Sequence, residues 1–265
     1  APTLYYYCTQ HSGMGGQANT NSTLGSSNFD GTIQSTAKVN ATAGFSIVTY
    51  TGNGTGGATL GHGLGVTPQV TIIKNRTTSS RDWIVNLTSG KVLFLNSTSS
   101  ELTNGGGTPT TFTSTTIRLD SGSSGLLGIN HSSDNYVMYT FSEVAGYSKF
   151  GSYTGNGSTD GVFVHLGFKP AWIMVKRSSA TSASSGWLIF DKKRNTFNQV
   201  SNKLAADSSQ EENDASTIGS PGANDVDFLS NGFKTRAINA GTNVSGDTYI
   251  YLAFAEAPFR NARAR

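Results

Sequence analysis

The chain has 265 residues, a net charge of +3 and 13% charged side chains, with many Gly, Ser, Thr and Asn. Its few basic residues are scattered rather than clustered, so nucleic acid is not an expected partner. No apolar run approaches the roughly 18 residues of a membrane span, which excludes membrane insertion by a helix. The single cysteine excludes an internal disulfide framework.

The first predicted element is a short hairpin over residues 1–19, and it carries metal-ligand spacing. Cys8, His11 and Met14 follow the pattern Cys-x-x-His-x-x-Met after a run of tyrosines. This resembles the ligand loop of cupredoxins, in which thiolate, imidazole and thioether suit copper. A cupredoxin site needs one further histidine from an earlier strand. We therefore expect no cofactor here, and copper only if upstream residues complete the site.

Two polar segments are predicted to lie outside the folded domains. Residues 20–44 are rich in Ser, Thr and Asn with few apolar anchors, which predicts a linker. Residues 260–265 contain three arginines and are expected to form a solvated basic tail.

The remainder of the chain repeats itself. Residues 45–68 and 150–170 both contain Tyr-Thr-Gly-Asn-Gly, then a histidine, a Leu-Gly pair and a proline, and each range is followed by an apolar run ending in lysine. The repeat predicts two related domains, 45–146 and 147–259. A polar stretch over residues 202–222 is interpreted as an insertion in the second copy.

Nearly every segment of both copies indicates β-strand. Short runs rich in β-branched and aromatic residues alternate with turn residues, and Asn231-Gly232 predicts a hairpin. The longest apolar runs, residues 136–141 and 249–254, are expected in the middle of a sheet. Only residues 197–206 suggest a helix. The predicted fold is all-β, with two tandem β-sandwich domains of jelly-roll type.

Residues shared by both copies are more useful to the fold than to a unique reaction. His62 and His165 occupy matching places, so both are interpreted as structural. Glu143 and Glu256 also match and would lie in different domains, whereas a glycosidase needs two carboxylates about 5–10 Å apart. Asp191 has no acidic counterpart in the first copy and is interpreted as structural or solvated. No catalytic residue is therefore assigned.

Two tryptophans are candidates for glycan binding. Trp83 and Trp187 match between the copies, and aromatic rings on a polar, weakly charged sheet can stack against sugars. The alternative is that each tryptophan anchors the core of its own repeat.

Several motifs together resemble virion structural proteins of tailed phages, a family frequent in marine and cyanobacterial phages. They are GYSKFGSYTGNGSTDGVFVHLGFKPAWIMVKR, then WLIFDxxRN, DFLSNGFK and YIYLAFAEAPF, while HGLGVTPQVTIIKNR in the first copy resembles the companion half. The resemblance covers residues 45–259, and the opening YYYCTQHSGMGG is similar to a segment of such proteins.

The resemblance implies a non-enzymatic component of the virion exterior, as a tail fibre, spike or head-surface appendage involved in host attachment. Expected partners are other virion proteins, a host-surface glycan and further copies of the chain, with a homotrimer expected from the habits of phage fibres. The alternatives are a capsid decoration protein without receptor binding and a depolymerase of host polysaccharide.

Overall fold

The computed structural model describes residues 25–103, 111–119, 127–181, 185–212 and 225–256, together with the backbone of the strands 4–7 and 15–18. All secondary structure in this part of the chain is β. The strands up to the end of the first repeat are β1 (Leu4–Tyr7), β2 (Gly15–Ala18), β3 (Ser26–Asn28), β4 (Ser35–Asn40), β5 (Phe45–Thr51), β6 (Ala58–Gly61), β7 (Val70–Asn75), β8 (Trp83–Leu87), β9 (Lys91–Phe94), β10 (Leu102–Thr103), β11 (Thr116–Leu119) and β12 (Asn135–Phe141).

The strands of the second repeat are β13 (Ser148–Thr154), β14 (Phe163–His165), β15 (Pro170–Arg177), β16 (Trp187–Asp191), β17 (Lys203–Ala205), β18 (Val226–Leu229), β19 (Gly232–Thr235) and β20 (Thr248–Ala255). No described residue is helical, so the helix suggested for residues 197–206 is wrong. Part of that range forms β17, where Leu204 pairs with Ile189.

Each repeat consists of a large antiparallel sheet facing a small one. The large sheet of the first repeat has the order β10-β9-β8-β7-β12-β5-β4-β3, and that of the second has β17-β16-β15-β20-β13. The small sheets are β11-β6 and β14-β19-β18. Matching strands occupy matching positions, and Lys74 pairs with Trp83 as Lys176 pairs with Trp187. The predicted pair of repeat-related β-sandwiches is therefore correct.

The local sequence signals agree with this topology at several points. β12 and β20, the most apolar runs, each lie between two neighbouring strands of a large sheet. The predicted hairpin joins β18 to β19, and Leu229 pairs with Gly232 across the two-residue loop.

The segment predicted as a linker contributes two strands instead. β3 and β4 extend the large sheet of the first repeat, with β4 paired along its whole length to β5. Ser35 and Ala37 alternate inward and are buried beside Ile33. The sequence does not show this inward-outward alternation, because small and polar side chains take the buried positions normally filled by large apolar ones.

Part of the insertion in the second repeat lies earlier than predicted. By strand register, Leu188 follows the matching Ile84 by 104 residues, whereas Lys203 follows the matching Val92 by 111. Seven of the extra residues therefore lie between β16 and β17, before most of the predicted range 202–222.

A close approach of two loops closes each sandwich, and it accounts for the repeated Thr-Gly-Asn-Gly motif. A Cβ on Gly52 would lie 2.1 Å from the carbonyl oxygen of His131, and one on Gly155 would lie 2.2 Å from that of Val244. No other residue fits at these two positions, because any side chain would overlap backbone atoms.

Paired asparagines fasten the same contact, which we call the asparagine clasp. In the first repeat the amide of Asn53 donates to the Oδ1 of Asn130 over 3.0 Å, and the Nδ2 of Asn130 donates back over 2.9 Å. Asn156 and Asn243 make the same reciprocal pair at 2.9 and 3.0 Å. Asn130 and Asn243 are fully buried, so the clasp satisfies amides that would otherwise be costly to desolvate.

The two repeats pack through their large sheets. Side chains alternate along β16 and β20, so that one face enters the core of the second sandwich and the other enters a core shared with the first repeat. The shared core includes Val85 and Leu93 from the first repeat and Trp187, Ile250 and Leu252 from the second. Trp187 is fully buried, and its indole N–H donates to the carbonyl of Phe94 over 2.8 Å.

The loop after β9 strengthens this contact between the repeats. The amide of Glu101 donates to the carbonyl of Ser178 over 2.8 Å. The ammonium of Lys176, which is fully buried, donates to the carbonyls of Thr98 at 3.1 Å and Ser185 at 2.6 Å. Loss of hydration nevertheless lowers the pKa of Lys176 to about 8, although Asp207 favours the charged form.

Replacing Gly155 by alanine should destabilise the protein by about 3 kcal/mol, because the new methyl group overlaps the carbonyl of Val244. The control is Gly90→Ala, where φ is +77° but no atom lies within 4 Å, so a cost of about 1 kcal/mol is expected. Urea unfolding of both variants measures the difference. Equal costs would contradict the close approach.

Replacing Trp187 by phenylalanine should cost about 2–4 kcal/mol, because it leaves a gap in the shared core and the Phe94 carbonyl without its donor. The matching Trp83→Phe removes a partly exposed indole and should cost under about 1 kcal/mol. Thermal unfolding compares the two. Equal losses would show that the repeats do not depend on Trp187.

Candidate functional site

The clearest departure from the internal repeat is the connection between β16 and β17. In the first repeat the matching strands, β8 and β9, are joined by the short turn Thr88–Gly90. In the second repeat the connection is eleven residues long, from residue 192 to 202, and we refer to its outer part as the 192–200 loop. A feature present in one copy alone is a better functional candidate than one required by both.

The beginning of the 192–200 loop is held by Asp191. Its Oδ1 accepts the backbone amides of Lys193 and Arg194, both at 2.9 Å, in the manner of an Asx turn. The guanidinium of Arg194 donates to Asp191 Oδ2 at 2.6 Å, to Glu212 at 2.8 Å and to the Ile189 carbonyl at 3.0 Å. Arg194 therefore fixes the loop rather than facing a ligand.

These contacts decide the protonation of Asp191. Burial alone raises the pKa of this carboxyl, but the amide and guanidinium of Arg194 outweigh that effect, and the pKa lies below its ordinary value. Asp191 therefore stays ionised throughout the neutral range, and its carboxylate oxygens continue to accept these hydrogen bonds. The sequence interpretation of Asp191 as a structural residue agrees with this geometry.

The far end of the loop is docked onto the core by two asparagines. Asn195 Oδ1 accepts the amides of Ser201 at 3.2 Å and Asn202 at 2.6 Å. Asn198 exchanges two hydrogen bonds with the backbone of Phe228, at 2.9 and 3.1 Å, as a neighbouring strand would. Between these anchors the side chain of Phe197 is 84% exposed.

The loop borders a cleft of about 400 Å³ that we call the lysine cleft. It is lined by Lys169, Lys192, Lys193, Asn195, Thr196, Phe197, Asn198, Val200 and Phe228. Glu256 pairs with Lys192 and lies 3.8 Å from the ammonium of Lys193, so it offsets part of the positive charge. Lys193 remains 83% exposed along its side chain. The cleft thus combines ammonium groups with a fixed, solvent-facing aromatic ring.

A second cleft, of about 220 Å³, opens between the two repeats. Its lining includes the apolar residues Val70, Leu87, Phe150 and Ile250. Its charged member, Lys91, is held by Glu101 at 2.7 Å. This cleft offers fewer groups for recognising a polar ligand than the lysine cleft does.

The two tryptophans predicted to bind glycan differ in burial. Trp187 is completely buried in the shared core, so no face of its ring is open to a sugar, and the prediction is wrong for this residue because the first repeat covers it. Trp83 is partly exposed, with its ring centroid 6.5 Å from that of Tyr139 and 5.8 Å from the ammonium of Lys74. Glycan stacking by Trp83 stays a prediction.

The two matching histidines also occupy different environments. His62 is buried, and its Nδ1 accepts the amide of Leu64 at 3.2 Å while its Nε2 lies 3.2 Å from the Thr113 carbonyl. Burial lowers the pKa of His62, which fits its structural interpretation. His165 is exposed on β14, and its carbonyl accepts a hydrogen bond from Lys149 at 3.0 Å.

The remaining predicted sites are the metal-ligand loop and the basic tail. Cys8, His11 and Met14 lie outside the described residues, so the expectation of no cofactor, with copper only if upstream residues complete the site, stays a prediction, as does the basic tail at 260–265. Within the described ranges no three His, Cys, Asp or Glu side chains group closely enough to hold a metal ion. Those ranges also contain no helix with the length and apolarity to cross a bilayer.

The lysine cleft itself was missed by the sequence analysis. Its lysines come from the turn before β15 and from the loop after β16, and neither position forms a recognisable motif. The available signal was the break in the repeat: the matching positions in the first copy are Thr67 and Thr88.

Comparison with known proteins places both repeats in one family unit. Residues 18–258 match the family described as a domain of unknown function, DUF7483, and the chain belongs to that family. No curated protein and no solved structure gives a significant match. The matched range includes β3, β4 and both sandwiches, so the family unit extends well beyond a single repeat.

Replacing Asp191 by alanine should loosen the 192–200 loop, because three hydrogen bonds lose their acceptor. Amide exchange at residues 193 and 194 should accelerate by about 10-fold or more, corresponding to about 1–3 kcal/mol of lost local stability. Glu212→Ala is the matched control, because it removes only the outer partner of Arg194.

The same measurement has a defined pH dependence. Since the folded-state pKa of Asp191 is lowered, its contribution is complete above the ordinary carboxyl value of about 4 and is lost as the pH falls through the folded value. After correction for intrinsic rates, protection should be constant from pH 7 to about pH 5. Loss of protection within that range, or equal effects of both variants, would contradict the role of Asp191.

Proposed function

We propose that this chain is a non-enzymatic structural protein on the exterior of a phage particle, as a tail fibre, spike or head-surface appendage, and that it attaches to a host-surface polysaccharide. The motif resemblance over residues 45–259 supports the phage assignment. The observation that carries attachment is the 192–200 loop, which one repeat has and the other lacks. Its anchors hold an exposed aromatic ring beside a polar cleft.

The chemistry of this surface suits carbohydrate. An isolated exposed phenylalanine is ordinary, but Phe197 lies at the rim of a cleft lined by amides, a hydroxyl and ammonium groups. Aromatic faces pack against the apolar faces of sugar rings, while polar neighbours bind the hydroxyl groups. Because both ends of the loop are already bonded to the core, little conformational entropy would be lost on binding.

We further propose that the chain acts as a homo-oligomer, with a trimer expected from the phage resemblance, alongside other virion proteins. The outer edge of β5 is covered by β4 and β3, whereas β13 has no neighbour on its outer side among the described residues. Such edges favour pairing with another strand. Repeated copies would raise the avidity for a repeating glycan by ~10²-fold or more.

Two other functions compete with this proposal. A capsid decoration protein would use the same rigid sandwiches without a receptor. A depolymerase would need two carboxylates flanking a bound sugar. Glu143 Oε1 accepts the amide of Phe150 at 2.9 Å, and Glu256 pairs with Lys192 in the other repeat. Those contacts give both carboxylates bracing roles.

Free protein should compete with phage for adsorption to host cells, and it should leave the size distribution of host envelope polysaccharide unchanged. Phe197→Ala should weaken competition by about 2- to 10-fold, since a lost aromatic contact is worth about 0.5–1.5 kcal/mol. Phe163→Ala is the matched control, because Phe163 is 43% exposed on a different strand. Light scattering gives the oligomeric state needed to compare doses.

The outcomes separate the three functions. Shortened polysaccharide would make the protein a depolymerase. An absence of competition at every dose would favour capsid decoration. Equal losses for Phe197→Ala and Phe163→Ala would move the attachment surface away from the 192–200 loop.

A further inference from the structure

We infer that the lysine cleft binds an acidic polysaccharide, one whose sugars carry carboxylate or sulfate groups, rather than a neutral one. This inference rests on the proposed function of glycan attachment and names the ligand class of the same site. It depends on where the second repeat has gained charge and on which charged groups remain available.

The gain of charge is local. Lys169 and Lys192 replace Thr67 and Thr88 of the first repeat, and Lys193 belongs to the added residues. All three line one cleft on a chain in which only 13% of residues are charged. Glu256 offsets one of the three charges, which leaves the cleft positive. A concave positive surface concentrates anions near it.

The ammonium groups are available in different degrees. Lys192 is held by Glu256 and half-buried, whereas Lys169 and Lys193 are exposed. Arg194, the other cation of the loop, is satisfied by Asp191, Glu212 and a carbonyl. Lysines are compact charges on flexible stems, so Lys169 and Lys193 can follow acid groups whose spacing varies along a polysaccharide.

The aromatic ring and the charges serve different parts of one ligand. Phe197 presents a largely apolar face to the ring carbons of a sugar, and the lysines line the adjacent cleft where acid substituents would project. The Oδ1 of Asn195 and both polar atoms of the Asn198 amide are occupied in holding the loop. The lysines are therefore the groups that can distinguish a charged glycan from a neutral one.

Calorimetric titration of the full chain with a polyuronate oligomer and with dextran of equal length tests the inference. At low salt the polyuronate should bind at least about 10-fold more tightly, and the difference should shrink as salt screens the exposed charges. The double variant Lys169→Gln/Lys193→Gln should lose about 10-fold or more of its polyuronate affinity and keep its dextran affinity.

A charge-matched control is available on the first repeat. Lys38→Gln/Arg118→Gln removes two exposed cations outside the cleft, and it should leave polyuronate binding nearly unchanged. If it weakens binding as much as the cleft variant does, general charge attraction replaces the proposed site. Equally tight binding of single-stranded DNA would likewise overturn a glycan-specific cleft.

Failure of the inference differs from failure of the proposed function. Equal affinity for dextran and polyuronate would overturn the acidic ligand while leaving glycan attachment intact. Binding of neither glycan, together with unchanged phage adsorption in the presence of free protein, would overturn attachment and the acidic ligand with it. Polyuronate binding that depends on Lys169 and Lys193 and not on Lys38 and Arg118 would establish both.

Discussion

The close approach at the end of each sandwich is the constraint on which the structure depends. Gly52 and Gly155 bring their turns within van der Waals contact of a facing backbone, and the asparagine clasp then satisfies the buried amides. This contact closes the loops before β12 and β20, which are interior strands of the two large sheets. Because a glycine and two asparagines are needed at once, the motif recurs almost unchanged in both copies.

Packing of the two large sheets then places equivalent residues of the two repeats in different environments. Trp187 is buried between the repeats, whereas Trp83 is partly exposed. The outer edges differ as well, since β4 covers β5 in the first repeat and no described strand covers β13 in the second. A duplicated chain thus acquires surfaces that neither copy would have alone.

Stability and the proposed recognition surface occupy different parts of the second repeat. The duplicated elements provide the core, the clasp and the contact between repeats. The 192–200 loop extends from that framework and is fixed by Asp191 and Asn198 instead of by apolar burial. Polar anchoring leaves Phe197 and Lys193 exposed, so these side chains would be able to contact a ligand without weakening the core.

The sequence by itself determined the β class, the internal repeat, two interior strands and the Asn231-Gly232 hairpin, because alternation and turn chemistry act over a few residues. It did not reveal β4, whose buried positions are filled by Ser35 and Ala37 rather than by large apolar side chains. The burial of Trp187 and the meeting of Lys169 with Lys193 were decided only by the tertiary structure. Both depend on which strands lie side by side and which faces pack, and residues far apart in the chain settle that through contacts no local pattern contains.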